Sequence, residues 1–535
     1  MLFIMIVVMQ TANYKHNNFK LMEALKMNFR KSIALMCAAA IGVTAAVAGY
    51  GVNEAEAAVV TEKSAASTVA NGKTPKYVFL FIGDGMSYPQ IQLTNYYLSS
   101  LKDTNNNDIV ESQKNLGFLN FPVAGSAQTY DSSSFCPDSA STATSISTGH
   151  KTYSGTINMN EAKTVEYETI AEKLKDQLGY KIGVVTSVNL NHATPAAFYA
   201  HQASRNDYYE IGEEMVESGF DYFAGGGLLK PDGDGTQKNL YTLAGENGYT
   251  VADTKAEAES VNSATGKTII IDETLADSDA MSYDMDLEEG EWALKDYVKK
   301  GIEVLDNENG FFMMVEGGKI DWACHANDAG ATISDTIALD EAVQEAVNFY
   351  NEHPDETLII VTGDHETGGL TIGFAGTDYD TFLTNLENQK ISYAKFDSDY
   401  VAKYKENKTS FEEVLKDVQN LFGLVTSENA AQAKDETLVL TDYEYNKLKA
   451  AYDKTMAGES EELTQEEYVL YGTYEPLTVT ITHLLNNKSG VSFSSYAHTG
   501  LPVEVLAMGA GQELFEGYYD NTDIYFNLAE LTGVK

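Results

Sequence analysis

The chain has 535 residues, of which 43% are hydrophobic and 11% aromatic. That is enough to bury a large core, and it excludes general disorder. Its 79 acidic and 36 basic side chains give a formal charge of −43, which repels nucleic acids and anionic lipid surfaces and excludes a polyanion-binding protein. For an enzyme with an anionic substrate such a charge demands local cations, and bound metal ions supply them.

In chain order, residues 27–57 have the layout of a secretory signal. Arg30 and Lys31 precede an apolar stretch from Ser32 to Gly49, and Ala55-Glu56-Ala57 offers a small-x-small cleavage site before Ala58. The upstream apolar run Leu2–Met9 is too short to span a bilayer, so residues 1–57 read as a leader with the true start at Met27. This predicts export to the extracellular space, the cell surface or the periplasm. No later stretch resembles a transmembrane helix. Residues 58–75 read as a flexible stretch.

From residue 76 onward, short apolar runs end in polar, glycine-containing turns. They are Tyr77–Ile82, Lys181–Val185, Phe311–Val315, Thr357–Val361 and Val503–Met508. Runs of this length suit strands buried on both faces, which predicts an α/β fold: a largely parallel central sheet flanked by helices, with active residues at the carboxyl ends of strands. Residues 76–373 and 496–535 form this core. Residues 374–495, rich in Tyr, Lys, Glu and Asn and with helical patterning at Phe411–Lys416, read as an inserted cap region.

Six stretches place ligand or nucleophile residues at those strand ends or in turns: Gly83-Asp84-Gly85, Pro137-Asp138-Ser139-Ala140, His192-Ala193-Thr194-Pro195, Glu316–His325, Gly363-Asp364-His365-Glu366-Thr367 and His498-Thr499-Gly500. Asp beside Gly is commonly a turn, and Asp138 or Ser139 is a natural helix N-cap. Ser139 at a helix N-terminus also suits a nucleophile and a bound phosphate. Asp321 and His325 share one face if their segment is helical. Of nine histidines, His16 lies in the leader. Four of the rest fall in the six stretches, while His150, His201, His353 and His483 read as structural or surface residues. Mixed His and Asp ligands suit zinc, and Asp, Thr and Glu oxygens suit magnesium. The only arginine beyond the leader is Arg205. Its guanidinium suits bidentate phosphate binding better than any lysine does.

Together, Asp84, Asp138-Ser139-Ala140, His192-x-Thr194-Pro195, Arg205, Glu316 to His325, Asp364-His365 and His498-Thr499-Gly500 resemble the alkaline phosphatase family. The likeness runs from about Lys76 to Gly369 and again from Tyr496. It implies metal-dependent hydrolysis of phosphate monoesters through a phosphoserine on Ser139, with Arg205 binding substrate. It also implies two zinc ions and one magnesium ion per subunit. Asp321, His325 and His498 would hold one zinc, and Asp84, Asp364 and His365 the other. Asp84, Thr194 and Glu316 would hold magnesium, with His192 beside them. The partners it implies are small phosphate monoesters and, as is usual in that family, a second copy of the chain. His192 and Trp322 stand where some members have Asp and Lys, which bears on metal preference and pH profile. Cys136-Pro137 superficially matches a sulfatase signature, but no Arg follows. A metal-storage protein would need neither Ser139 nor Arg205. Cys136 and Cys324, the two cysteines beyond the leader, read as unpaired.

Overall fold

The computed structural model describes residues 74–102, 110–458 and 463–535. The leader 1–57 and nearly all of the stretch 58–75 lie outside the described residues. Ten strands build one sheet: β1 (Tyr77–Gly83), β2 (Val123–Gln128), β3 (Lys181–Thr186), β4 (Tyr222–Gly225), β5 (Thr250–Ala252), β6 (Thr268–Ile271), β7 (Phe311–Gly317), β8 (Thr357–Gly363), β9 (Val503–Gly509) and β10 (Gly517–Asp520). Their spatial order is β10-β2-β9-β8-β1-β7-β3-β4-β6-β5. All neighbours are parallel except β9, which runs antiparallel to both β2 and β8. This is the predicted α/β class, with one reversed strand. A strand buried on both faces carries the same apolar run in either direction, so its sense was not in the sequence.

The central strands β1, β7 and β8 are buried along their whole length. Val78, Leu80 and Ile82 join Phe312, Met314 and Ile360 in a cluster on one face. Phe79, Phe81, Met313 and Ile359 join a cluster on the other, as period-two alternation requires. Each such fully buried side chain contributes roughly 1.5–3 kcal/mol. Ala140, Ala143 and Ile146 of helix α1 (Ser139–Thr148) cover the first face. Leu339, Val343 and Phe349 of helix α3 (Ala329–Glu352) cover the second, and the short helix α2 (Lys319–His325) lies between β7 and α3 in sequence.

Register sets the site. Gly83 of β1 pairs with Gly317 of β7 and with Gly363 of β8, so three strands end level and release Asp84, α2 and Asp364 side by side. β3 ends beside them, with Thr186 opposite Glu316.

Between β8 and β9 the segment 374–495 is largely helical. Helices α4 (Phe411–Phe422) and α5 (Asp442–Ala457) start with capping boxes, Ser410 with Glu413 and Thr441 with Glu444, and α6 (Pro476–Lys488) starts on a proline. Their apolar faces form a third cluster that also takes in Leu93, Ala329, Ile333 and Leu370.

Candidate active site and metal centre

The stretches singled out in the sequence converge at the carboxyl edge of β1, β7 and β8. Asp84 follows β1 directly. The next residue must be glycine: Gly85 has φ +70°, and a Cβ there would come within 2.8 Å of Thr367 Oγ1 and 3.0 Å of the Asp321 backbone. Ser139 is the first residue of α1, whose N-cap Asp138 accepts a hydrogen bond from Ser141 N and whose end is closed by Gly149 at φ 74°. Ser139 Oγ lies 3.5 Å from Asp84 Oδ1 and 3.2 Å from His365 Nε2. His365 Nε2 is 3.4 Å from Asp84 Oδ1 and 3.3 Å from Asp364 Oδ2.

A second group adjoins this one. His325 Nε2 sits 3.3 Å from Asp321 Oδ2 and 3.1 Å from His498 Nε2, which is 3.6 Å from Asp321 Oδ1. The rings of His365 and His498 stack at 3.7 Å. A third group brings buried Asp84, His192 and Glu316 within ligating reach of one another. Thr194 Oγ1 donates to Asp84 Oδ2 at 3.1 Å.

The tautomers follow from the hydrogen bonds. His325 Nδ1 faces the Tyr496 carbonyl at 2.6 Å and His498 Nδ1 faces the Pro137 carbonyl at 2.5 Å. A carbonyl only accepts, so both Nδ1 atoms carry a proton, and Nε2, the nitrogen facing Asp321, is the one left to bind a metal once its own proton is lost. Thr367 Oγ1 donates to Asp321 Oδ1 at 2.5 Å and so receives from His365 Nδ1 at 3.3 Å, which frees His365 Nε2 as well.

Electrostatics mark the same place. Burial first, then neighbouring carboxylates, pushes Asp84 and Asp364 upward. Burial likewise raises Glu316, against hydrogen bonds that lower it. Burial alone would raise Asp321, but His325 and His498 hold it well below the usual carboxylate range. Arg205 is the nearby fixed cation. Its Nη1 donates to Asp138 Oδ2 at 3.0 Å and its Nη2 to His192 Nε2 at 3.0 Å, and its side chain keeps 23% exposure. Burial, then the guanidinium, lowers His192 to about 3, so this imidazole is neutral. Trp322 meets it edge-on at 6.0 Å.

The sequence pattern of the family described as alkaline phosphatase matches residues 75–534. The chain belongs to the alkaline phosphatase family. The enzyme therefore hydrolyses phosphate monoesters. It is 29% identical over 472 residues to alkaline phosphatase 4 of Bacillus subtilis, covering 86% of this chain and 90% of that one. A cold-active alkaline phosphatase from a psychrophilic Shewanella superposes with a TM-score of 0.69 at 26% identity, over 85% of this chain and 99% of that one. A histidine-to-glutamate variant of the alkaline phosphatase from the Antarctic bacterium TAB5, solved with magnesium in its M3 site, gives 0.56 at 25% identity, over 86% and 99% of the two chains.

The residues fit metal ions. Four buried carboxylates, Asp84, Glu316, Asp321 and Asp364, meet no lysine or arginine ion pair among the described residues. Glu316 Oε1 and His192 Nδ1 are buried with no hydrogen-bond partner, and the Nε2 atoms of His325 and His498 converge to 3.1 Å beside Asp321. Such a cluster is costly unless cations neutralise it.

The structure brings together all the candidate site residues named from sequence. His150, His201, His353 and His483 lie elsewhere: His150 stacks on Tyr167, His201 pairs with Glu172 and Glu214, His353 packs on Phe349 and His483 bonds Asn327. Sequence reasoning missed the supporting groups. Thr142 donates to Asp364 Oδ2 at 3.0 Å, Thr186 donates to Glu316, and Thr367 and the two carbonyls orient the imidazoles. A threonine or a carbonyl carries no sequence signal for such work. Cys136 is exposed and Cys324 buried, both free. Among the described residues no helix is long and apolar enough to cross a membrane.

Proposed function

We propose that the enzyme hydrolyses phosphate monoesters through a phosphoserine on Ser139, in a centre that takes two zinc ions and one magnesium ion, and releases the alcohol and inorganic phosphate. The observation that carries this reading is the position of Ser139 Oγ. It stands at the N-terminus of α1, within 3.5 Å of Asp84 and His365, and Asp138, the N-cap of the same helix, anchors Arg205.

In this reading Asp321, His325 and His498 hold one zinc, Asp84, Asp364 and His365 the other, and Asp84, Thr194 and Glu316 hold magnesium. When bound, these ions supply Lewis-acid charge that favours the ionised Ser139 hydroxyl and the departing alcohol oxygen. The chain's own groups do the rest. Arg205 turns two N–H groups to two non-bridging phosphate oxygens while Asp138 and His192 hold its plane. The N-terminal dipole of α1 adds positive potential where phosphate charge gathers. Ser139 Oγ forms the new bond to phosphorus as the ester bond to the alcohol breaks, and water then cleaves the phosphoserine. His192, neutral and bonded to Arg205, stands where a carboxylate would add a hard oxygen ligand, so the third site suits magnesium less well than an all-oxygen site does. The signal-like segment 27–57 supports export of the mature chain, the core 76–373 with 496–535 carries the centre, and 374–495 is an insertion. A homodimer is the assembly we expect.

Quenching the metal-replete enzyme in acid during turnover should trap the phosphoserine. Intact-mass and peptide mapping would show one added phosphoryl group on the peptide containing Ser139. A group on another residue, or none in a quench that traps a control phosphoenzyme, would refute the assignment.

A further inference from the structure

Next to His192 stands an aromatic side chain, Trp322, whose ring meets the imidazole edge-on. Trp322, next to Asp321 in α2, is partly exposed. Lys319 is wholly buried, with its ammonium 4.7 Å from the centroid of Trp322, 3.9 Å from that of Tyr283 and 2.9 Å from Asp277 Oδ1. A buried ammonium needs a carboxylate close by, and here it fixes one that is itself 41% exposed. The loop carrying Asp277 is strained to suit. Ser278 and Asp279 have φ of 54° and 56°, and the loop is pinned by Gly227 N donating to Asp279 O at 2.7 Å and Met281 N to Ser187 O at 3.0 Å. Left-handed non-glycine residues in succession persist where the surroundings over-determine them, and they concentrate at functional sites.

The segment 374–495 reaches the same place. Tyr283 Oη donates to Tyr393 Oη at 3.2 Å, the ring of Tyr393 meets that of Tyr474 at 5.7 Å, and Tyr474 meets Tyr496 at 6.1 Å. Tyr496 is the residue whose carbonyl orients His325. Tyr474 thus lies between the Lys319 cluster and the Asp321 triad. Burial, and then the charges of Asp321 and Asp277, raise its hydroxyl above the ordinary phenol value.

We propose that Trp322, Tyr474 and Asp277 form a subsite for the alcohol part of the substrate. It selects monoesters whose alcohol has a flat face and carries hydroxyl or amino groups, as a nucleoside does, over small alkyl phosphates. The indole supplies a stacking face, the phenol a donor, and the carboxylate an acceptor. Lys319 acts as a positioning residue by holding Asp277. The subsite adjoins the phosphate clamp through the contact between Trp322 and His192. It rests on the phosphomonoesterase reading above.

The test compares adenosine 5′-monophosphate with ethyl phosphate on the metal-replete enzyme, with inorganic phosphate as a competitive inhibitor that reads the clamp alone. Wild type should favour the nucleotide in kcat/KM. Tyr474→Phe and Asp277→Asn should each lower the ratio of the two kcat/KM values by roughly three- to tenfold, the range set by one lost hydrogen bond. The inhibition constant of phosphate should hold. The leaving-group chemistry is common to wild type and variants, so the change in ratio reads the subsite. In a Trp292→Phe background Trp322 is the sole tryptophan of the mature chain, and adenosine should quench its fluorescence. Equal kcat/KM for the two esters in wild type, an unchanged ratio in the variants, or parallel loss on both esters and phosphate would overturn the proposal. Failure of wild type to hydrolyse either ester would instead sink the phosphomonoesterase reading, and the subsite with it.

Discussion

Arg205 is held by three different demands. Its guanidinium satisfies Asp138, donates to His192 and keeps an exposed edge for substrate. Burial alone would raise Asp138, but Arg205 and the N–H groups of Gly155 and Ser141 hold it below the ordinary carboxylate value. Lysine carries the charge without the planar fork. Arg205→Lys should lower kcat/KM for phosphate monoesters by roughly ten- to a hundredfold and weaken competitive inhibition by phosphate in step. Unchanged phosphate inhibition would remove Arg205 from the clamp. This side chain was legible in the sequence because it is the one arginine beyond residue 57. Its partner His192 was legible only as a neighbour of the metal residues, since a hydrogen bond between positions 192 and 205 follows from how β3 and the following turns fold. The threonines and carbonyls that set the imidazole tautomers were not legible at all, because nearly any residue supplies a backbone carbonyl.

At the scale of elements, the level ends of β1, β7 and β8 do the assembling, and those strands were plain in the sequence as apolar runs closed by glycine. The shorter strands β4, β5 and β6 and the outer strands β2 and β10 were missed, since Val123–Gln128 and Gly517–Asp520 lack a continuous apolar run. One connection ties structure to pH. His201 follows the turn that bears Thr194, with Nδ1 3.3 Å from Glu214 and Nε2 3.5 Å from Glu172. Burial alone would lower its pKa, but the two glutamates raise it to about 10. The folded pKa is above the unfolded value, so the stability this histidine contributes is full below pH ~6.5 and is lost as pH rises toward 10. The melting temperature of wild type should therefore fall more steeply between those limits than that of His201→Asn, measured by calorimetry at fixed metal loading. Parallel profiles would show that the histidine is not charged in the folded state.

For the whole molecule, the metal ions proposed above would offset the buried carboxylate cluster at the site, while the rest of the charge of −43 stays on the solvated surface. The segment 374–495 was recognisable by composition and helical patterning. Its bonds to Asn327 from His483 at 3.0 Å and Asn486 at 2.8 Å were not, nor was its delivery of Tyr393 and Tyr474, because such pairings depend on tertiary packing. The central claim is that Ser139 works inside a metal centre. The most direct measurement follows p-nitrophenyl phosphate hydrolysis from about pH 7 to 11, where metal-assisted ionisation of the hydroxyl is expected. It uses wild type and Ser139→Ala, before and after chelation and after zinc and magnesium are restored. The account predicts alkaline activity in wild type that chelation abolishes and the metals restore, with Ser139→Ala lowered by several orders of magnitude throughout. Full turnover by Ser139→Ala, or activity in wild type that survives complete chelation, would contradict it.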